Sequence, residues 1–324
     1  MSSRMDAARH ASSPPDEETG AAPLSRRPLE LSGRTVLLAT DGSPSAATAA
    51  RVAYALAEQH RAVVHVVNVV DSRSAPMPPP LGIALAMGDA IGGELHRKQE
   101  GAVREELSGT LDAPIGWPVR IMLGTPSSAI VQEANRLGAA LIVMGLRRHG
   151  RLDRVVHDET ALNVMRVAGC PVFGVVAELH DLPRRILAAV DFSEGSLVAL
   201  RAGRAVAGEN AVLVLAYVNP MNGFLADEGE SMIHDLGVQA GFVKLSRELG
   251  DDHVEFDHVV LHSAPPQSPA QALLEYADEV GSDLITAGSV QHSRLDRWMV
   301  GSVSGELVRN GRRSVLIVPP RRRL

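Results

Sequence analysis

The chain holds a single cysteine, Cys170, so no internal disulfide can form, and a reducing compartment, the cytoplasm, is the expectation. Aromatic residues are nearly as scarce, with two Trp, three Tyr and five Phe in 324 residues. A core must therefore be built from Val, Leu, Ala and Ile, which suits parallel strands covered by helices on both faces. There is no basic excess: a formal net charge of −6 excludes the general basic surface on which a nucleic-acid binder relies to neutralise phosphates. No apolar run approaches the roughly 18 residues needed to span a bilayer, so no membrane partner is expected. Residues 1–32 carry Ser, Pro, Ala and charges of both signs without the apolar segment of a secretory signal, and read as a disordered tail. H-E-x-x-H and C-x-x-C spacings are missing, as are a phosphate loop ending in Gly-Lys-Ser and a G-x-G-x-x-G after a first strand. With no nucleophile beside a base and no paired carboxylate set, the chain reads as non-catalytic.

What the sequence does contain is written twice. The segment from Arg34 recurs in form from Arg184, which lays Asp41 over Asp191. Thr125–Ile130 lies over Ser268–Leu273, Gly138–Gly145 over Gly281–Gly288, and Cys170–Val176 over Arg313–Pro319. The copies are expected at 33–178 and 184–320, joined by a linker at 179–183 and followed by a basic tail at 321–324. In each copy short β-branched runs alternate with helical-period segments, the pattern of βαβ units around a parallel sheet. In copy one the strands are predicted near Thr35–Ala39, Ala62–Val70, Val119–Leu123, Ala140–Gly145 and Pro171–Val176. Ser43 with Pro44, and later Pro126, mark helix starts, while Gly138 and Gly281 mark helix stops. The Pro/Gly/Met-rich stretch Ser72–Gly93 and its shorter counterpart Asn219–Gly229 are predicted to be loops suited to act as lids.

A first strand ending in Asp-Gly-Ser or Asp-Phe-Ser, a second reading His-Val-Val-Asn, a Pro-headed helix start and a glycine at the fourth-strand turn together resemble the universal stress protein family. The run Gly301-Ser302-Val303-Ser304-Gly305-Glu306-Leu307-Val308-Arg309, followed by Ser314–Pro320, carries the likeness furthest. The resemblance implies two tandem Rossmann-like (HUP-type) α/β domains, each a five-stranded parallel sheet of order 3-2-1-4-5 with helices on both faces. In such a sheet the order reverses between strands 1 and 4, leaving a ligand crevice at their carboxyl ends. That places Asp41 with Gly145 in one crevice and Asp191 with Gly288 in the other.

Nucleotide-binding members of the family are similar in a turn of Gly, two residues, Gly, nine residues, Gly and then Ser or Thr. Copy two opens that turn with Gly288, has Gln291 in place of the second glycine, and closes it with Gly301-Ser302. Copy one opens with Gly145 but puts Arg148, Asp158 and Glu159 in the remaining places. The resemblance thus implies an adenine nucleotide, ATP with Mg²⁺ accompanying it, in copy two, on Asp191, Val218, Gly288, Ser289, Gly301, Ser302 and Ser304. Ser293 is a further helper. Asp41, Val67 and Gly145 are the weaker copy-one equivalents. Each Asp equally fits a partner for the first helix's N-terminus that orders the turn.

Other features have plainer readings. Arg147–Arg154 reads as a solvated loop, with phosphate or acidic-partner binding as the alternative. Cys170 reads as a small buried residue opening a strand. His149, His157, His258, His262 and His292 lack the spacing of a metal site, and Asp296 is read as solvent-facing. The functional expectation is a stress-response regulatory protein whose nucleotide occupancy alters its surfaces toward an unidentified protein partner. A slow ATPase, and a scaffold with both pockets inactive, remain alternatives. The fifth strands, Val172–Val176 and Val315–Val318, are expected to meet in an internal pseudo-dimer, with a homodimer also open, because an apolar edge strand invites pairing.

Overall fold

A computed structural model describes residues 29–71, 88–146, 158–220, 228–249, 256–289 and 301–320. The lid stretches between 72 and 87 and between 221 and 227, the Arg147–Arg154 run, His157, Gln291, His292, Ser293, Asp296, residues 1–28 and residues 321–324 lie outside them, whereas the end of the expected N-terminal tail, 29–32, is described and buries Leu31 in the core. Copy one runs β1 (Thr35–Thr40), α1 (Pro44–His60), β2 (Val63–Asp71), α2 (Gly88–Leu111), β3 (Val119–Gly124), α3 (Pro126–Leu137), β4 (Leu141–Gly145), α4 (Asp158–Val167) and β5 (Val172–Val175). Copy two repeats the pattern as β6 (Arg185–Val190), α5 (Glu194–Ala205), β7 (Val212–Pro220), α6 (Glu228–Leu249), β8 (Phe256–Ser263), α7 (Pro269–Glu279), β9 (Leu284–Gly288), α8 (Ser302–Asn310) and β10 (Ser314–Val318).

Local chemistry accounts for the punctuation. Ser43 caps α1 by accepting a hydrogen bond from the Ala46 N–H, Pro44 fills the first helical position, and Ser193 caps α5 in the same way through Ser196. Ser268 and Gln271 form a reciprocal capping box at α7. Gly138 ends α3 in the left-handed region at φ 59°, where a side chain would be strained. The central strands β1 and β4 are apolar through their middles because helices cover both faces: Val36, Leu37, Leu38, Leu141, Ile142 and Val143 are fully buried.

Within each copy the strand order is 3-2-1-4-5 and every pairing is parallel. The two sheets are not separate. β5 and β10 pair antiparallel, with Val315 opposite Gly174, Leu316 opposite Phe173 and Ile317 opposite Val172, so all strands form one ten-stranded sheet. Phe173 and Leu316 are fully buried at this junction. Polar contacts flank it: the Ser314 hydroxyl accepts from the Val176 N–H at 3.2 Å and the Thr48 hydroxyl donates to the Ala177 carbonyl at 3.1 Å. The Gln59 amide also donates to the Ala207 carbonyl at 3.0 Å, tying α1 to the end of α5. Cys170 lies half-buried two residues before β5, and burial pushes its thiol up to about 12, so it is protonated at neutral pH. No helix among the described residues is long and apolar enough to cross a membrane.

Two glycines set how close the first helix of each copy comes to its fourth strand. A methyl group on Gly145 would lie 2.6 Å from the Ala46 nitrogen, and one on Gly288 would lie 2.8 Å from the Gly195 carbonyl oxygen. The sequence reading assigned both to a phosphate turn. Their packing role comes first, because only a residue without Cβ lets the helix N-terminus rest on the strand end and form the floor of the crevice.

The shared junction predicts that Phe173→Ala, which should cost about 3–5 kcal/mol as a large buried truncation, destabilises both copies together. Hydrogen exchange on β1 and on β6 would read this, and protection lost in copy one alone would contradict a common core. A second expectation concerns Glu133 of α3, whose buried carboxylate is bonded by Arg136 at 2.6 and 2.8 Å and lies 3.5 Å from Arg120. Its pKa is lowered from 4.5, chiefly by the Arg136 hydrogen bond, against the opposing effect of burial. A lowered carboxylate contributes stability above its unfolded value and loses it as pH falls through the folded one. Glu133→Gln should therefore cost about 1 kcal/mol at pH 7, both arginines being half-exposed. In urea titrations the difference from wild type should shrink as pH falls below 4.5.

Candidate functional site

The reversal of strand order in copy two lies between β6 and β9, and the chain leaves both strands at their carboxyl ends on the same side. A cavity of about 660 Å³ occupies that point, within the range of small-molecule sites. Its floor is the turn after β6 and the start of α5, where the Asp191 carboxylate accepts the Ser193 N–H at 3.0 Å. Asp191 therefore orders the turn and still presents an exposed carboxylate to the cavity. The end of β7 supplies Ala216, Tyr217 and Val218, and Pro269 with Leu273 of α7 closes an apolar side. Gly288 at the end of β9 and Ser289 after it complete the lining, with Gly301, Ser302 and Ser304 at the head of α8. All seven residues singled out for copy two thus line one cavity.

The head of α8 differs from those of α1, α5 and α7. Its N-cap, Gly301, has no side chain to accept from the first turn, so the leading N–H groups lack a side-chain cap where they border the cavity. Backbone donors and the positive end of the helix macrodipole together favour an anion there. Ser302 is exposed at this position. Ser304 is buried and its hydroxyl donates to the Gly288 carbonyl at 3.2 Å, which fastens α8 to β9. Ser289 is similarly held, its N–H donating to the Val318 carbonyl at 2.8 Å.

Sequence reasoning missed Ser193, Glu194, Tyr217, Pro269 and Leu273 as lining residues. Ser193 was legible through its correspondence with the helix cap Ser43. Tyr217 was legible only as the neighbour of Val218, since facing depends on how a strand end twists over the crevice. Glu194 adds a second carboxylate beside Asp191 on the floor. Next to it, Phe192 adopts a left-handed backbone at φ 62°, which costs a non-glycine residue roughly 1–2 kcal/mol. Its ring stacks on Tyr217 at 5.0 Å and meets Phe242 edge-on at 5.2 Å.

Copy one places its weaker candidates differently. The Asp41 carboxylate accepts the Ser43 N–H at 3.1 Å, repeating the turn of copy two, and Gly145 lies against α1. Val67 is buried and pairs with Ala39, the register position of Ala216 against Ala189. The counterpart of Val218 is consequently Val69, and Asn68 stands where copy two has Tyr217, a correction to the alignment of these strands. The Asn68 amide donates to the Thr40 carbonyl at 2.9 Å and accepts from Gln99 of α2 at 3.4 Å, so it is engaged by its own domain. Glu106 of α2 reaches the turn at Gly42, with its carboxyl raised by burial and then by Asp41. The helix equivalent to α8 is α4, which opens on Asp158 and Glu159. Two acids in the first turn of α4 oppose an anionic ligand at that helix head.

Of the histidines weighed as metal ligands, His149, His157 and His292 lie outside the described residues. His258 packs its ring on Phe242 at 4.5 Å, and among the described residues no group of three His, Cys, Asp or Glu side chains could hold a metal ion.

The sequence profile of the universal stress protein family matches this chain twice, over residues 33–175 and 183–319. A universal stress protein of Thermus aquaticus is 34% identical over 139 residues, which cover 43% of this chain and 96% of that protein. Another, from Methanocaldococcus jannaschii, is 31% identical over 146 residues, covering 44% of this chain and 81% of the relative. The crystal structure of a universal stress protein from Archaeoglobus fulgidus superimposes with a TM-score of 0.60 at 16% identity, covering 89% of this chain and 99% of that one, and bears on the fold alone. Each half, with its own complete set of strands, is matched separately, and the chain therefore belongs to the universal stress protein family as a tandem, two-domain member.

Proposed function

We propose that this universal stress protein is a non-catalytic regulatory protein whose second domain binds one adenine nucleotide, ATP with its Mg²⁺, while the first domain binds none. The observation that carries the reading is the contrast between the two helix heads: α8 offers uncapped N–H groups behind Gly301 and Ser302, whereas α4 begins with two acids. In this reading the phosphates meet the head of α8 and the hydroxyl of Ser302. The base rests on the apolar side formed by Ala216, Val218 and Leu273. Asp191 and Glu194 lie on the floor, where carboxylates accept hydrogen bonds from ribose hydroxyls or share a cation carried by the phosphates. Mg²⁺ would arrive with the nucleotide, since a hard cation keeps most of its shell as phosphate and water oxygens. Occupancy would draw the ends of β6 and β9 and the head of α8 onto one ligand, a change that a protein partner can read. A cytoplasmic setting accords with the one, protonated thiol.

The experiment is native mass spectrometry and calorimetric titration of the whole chain with ATP and Mg²⁺. One ATP per chain is expected, with no phosphate release on prolonged incubation. Ser302→Asp, which copies the acid-headed arrangement of α4, should weaken binding by about tenfold. Absence of binding at millimolar ATP would make the scaffold reading correct, and steady phosphate release the slow-ATPase reading.

A further inference from the structure

The second residue of the turn after the first strand is Gly42 in copy one and Phe192 in copy two, and both take the left-handed backbone, at φ 74° and φ 62°. Glycine suits that conformation and phenylalanine does not, so the ring must be held by what surrounds it. In copy one the space beside the turn is filled from the neighbouring helix, where a side chain begun at Gly42 would meet the Glu106 carboxylate oxygen of α2 at 3.2 Å. In copy two the roles are exchanged: the helix residue is Gly241 of α6, and a side chain begun there would meet the Phe192 ring at 2.6 Å. One copy pairs a small turn residue with a charged helix residue, and the other pairs a large aromatic turn residue with a bare helix position.

The exchange has a consequence at the cavity. Phe192 stacks on Tyr217 with 26° between the planes, and the His234 ring is tilted against Tyr217 at 6.1 Å, so the tyrosine that lines the cavity has two ring neighbours. Three of the few aromatic residues in the chain, Phe192, Tyr217 and Phe242, are gathered at this one place. We infer that Phe192 and Gly241 are a matched pair that positions Tyr217 in the cavity wall, and that this exchange fits copy two, unlike copy one, to a ligand with a neutral planar ring. The ligand clause rests on the nucleotide reading above; the pairing does not.

The test uses the full chain with Gly241→Glu, Phe192→Gly and the double variant, which rebuilds the copy-one arrangement. Gly241→Glu alone should lower the thermal midpoint, because its side chain collides with the Phe192 ring, and adding Phe192→Gly should restore most of the loss. The near-ultraviolet circular dichroism of tyrosine should weaken in Phe192→Gly and in the double variant, a change that mere restoration of stability would not bring. The double variant should bind ATP about tenfold more weakly than wild type despite its recovered stability. A double variant no more stable than Gly241→Glu, or an unaltered tyrosine signal without Phe192, would overturn the pairing. Recovered stability with undiminished ATP affinity would overturn the ligand clause. A wild-type chain that binds no ATP would remove the proposed function, while the midpoint and tyrosine measurements still decide the pair.

Discussion

A parallel sheet with an apolar fifth strand has one edge that cannot be left in water, because its unpaired N–H and C=O groups are a template for another strand. Here each copy supplies the other's missing neighbour. β5 and β10 pair antiparallel, Phe173 and Leu316 close the seam, and the sheet runs unbroken through both domains. The rest depends on that junction, which sets both crevices on one continuous ten-stranded sheet rather than on two sheets joined only by a linker.

The same duplication freed the two crevices to diverge. Both retain the Asp-x-Ser turn with its carboxylate on the cap N–H and both retain the glycine under the first helix. These are constraints of the βαβ turn itself, so neither copy can lose them without moving a helix. The residues that differ are those with no such duty: Ser302 against Asp158 and Glu159 at the last helix head, Tyr217 against Asn68 at the second strand end, and Phe192 with Gly241 against Gly42 with Glu106. In copy one every difference adds charge or ties a polar group to its own domain. In copy two they leave uncapped backbone donors at one end of a cavity and apolar or aromatic surface at the other.

The sequence by itself determined the repeat, the parallel αβ class and the strand positions, because burial on two faces writes continuous apolar runs and the helix caps write Ser-Pro and Gly at their ends. It also pointed to part of the copy-two cavity lining, Asp191 and Gly288 through the reversal of strand order and Val218, Ser289, Gly301, Ser302 and Ser304 through the family resemblance, while Ser193, Glu194, Tyr217, Pro269 and Leu273 were not singled out. Only the tertiary structure decided which groups in that crevice are at liberty to meet a ligand. Ser304 is buried fastening α8 to β9, Ser302 is exposed, and a two-residue difference in register moves the Val218 counterpart from Val67 to Val69. The Phe192–Gly241 and Gly42–Glu106 exchanges were beyond the sequence for a plain reason. They join a turn to a helix residue 49 or 64 positions away, and the size of a side chain at one end has meaning only once the packing distance to the other is known.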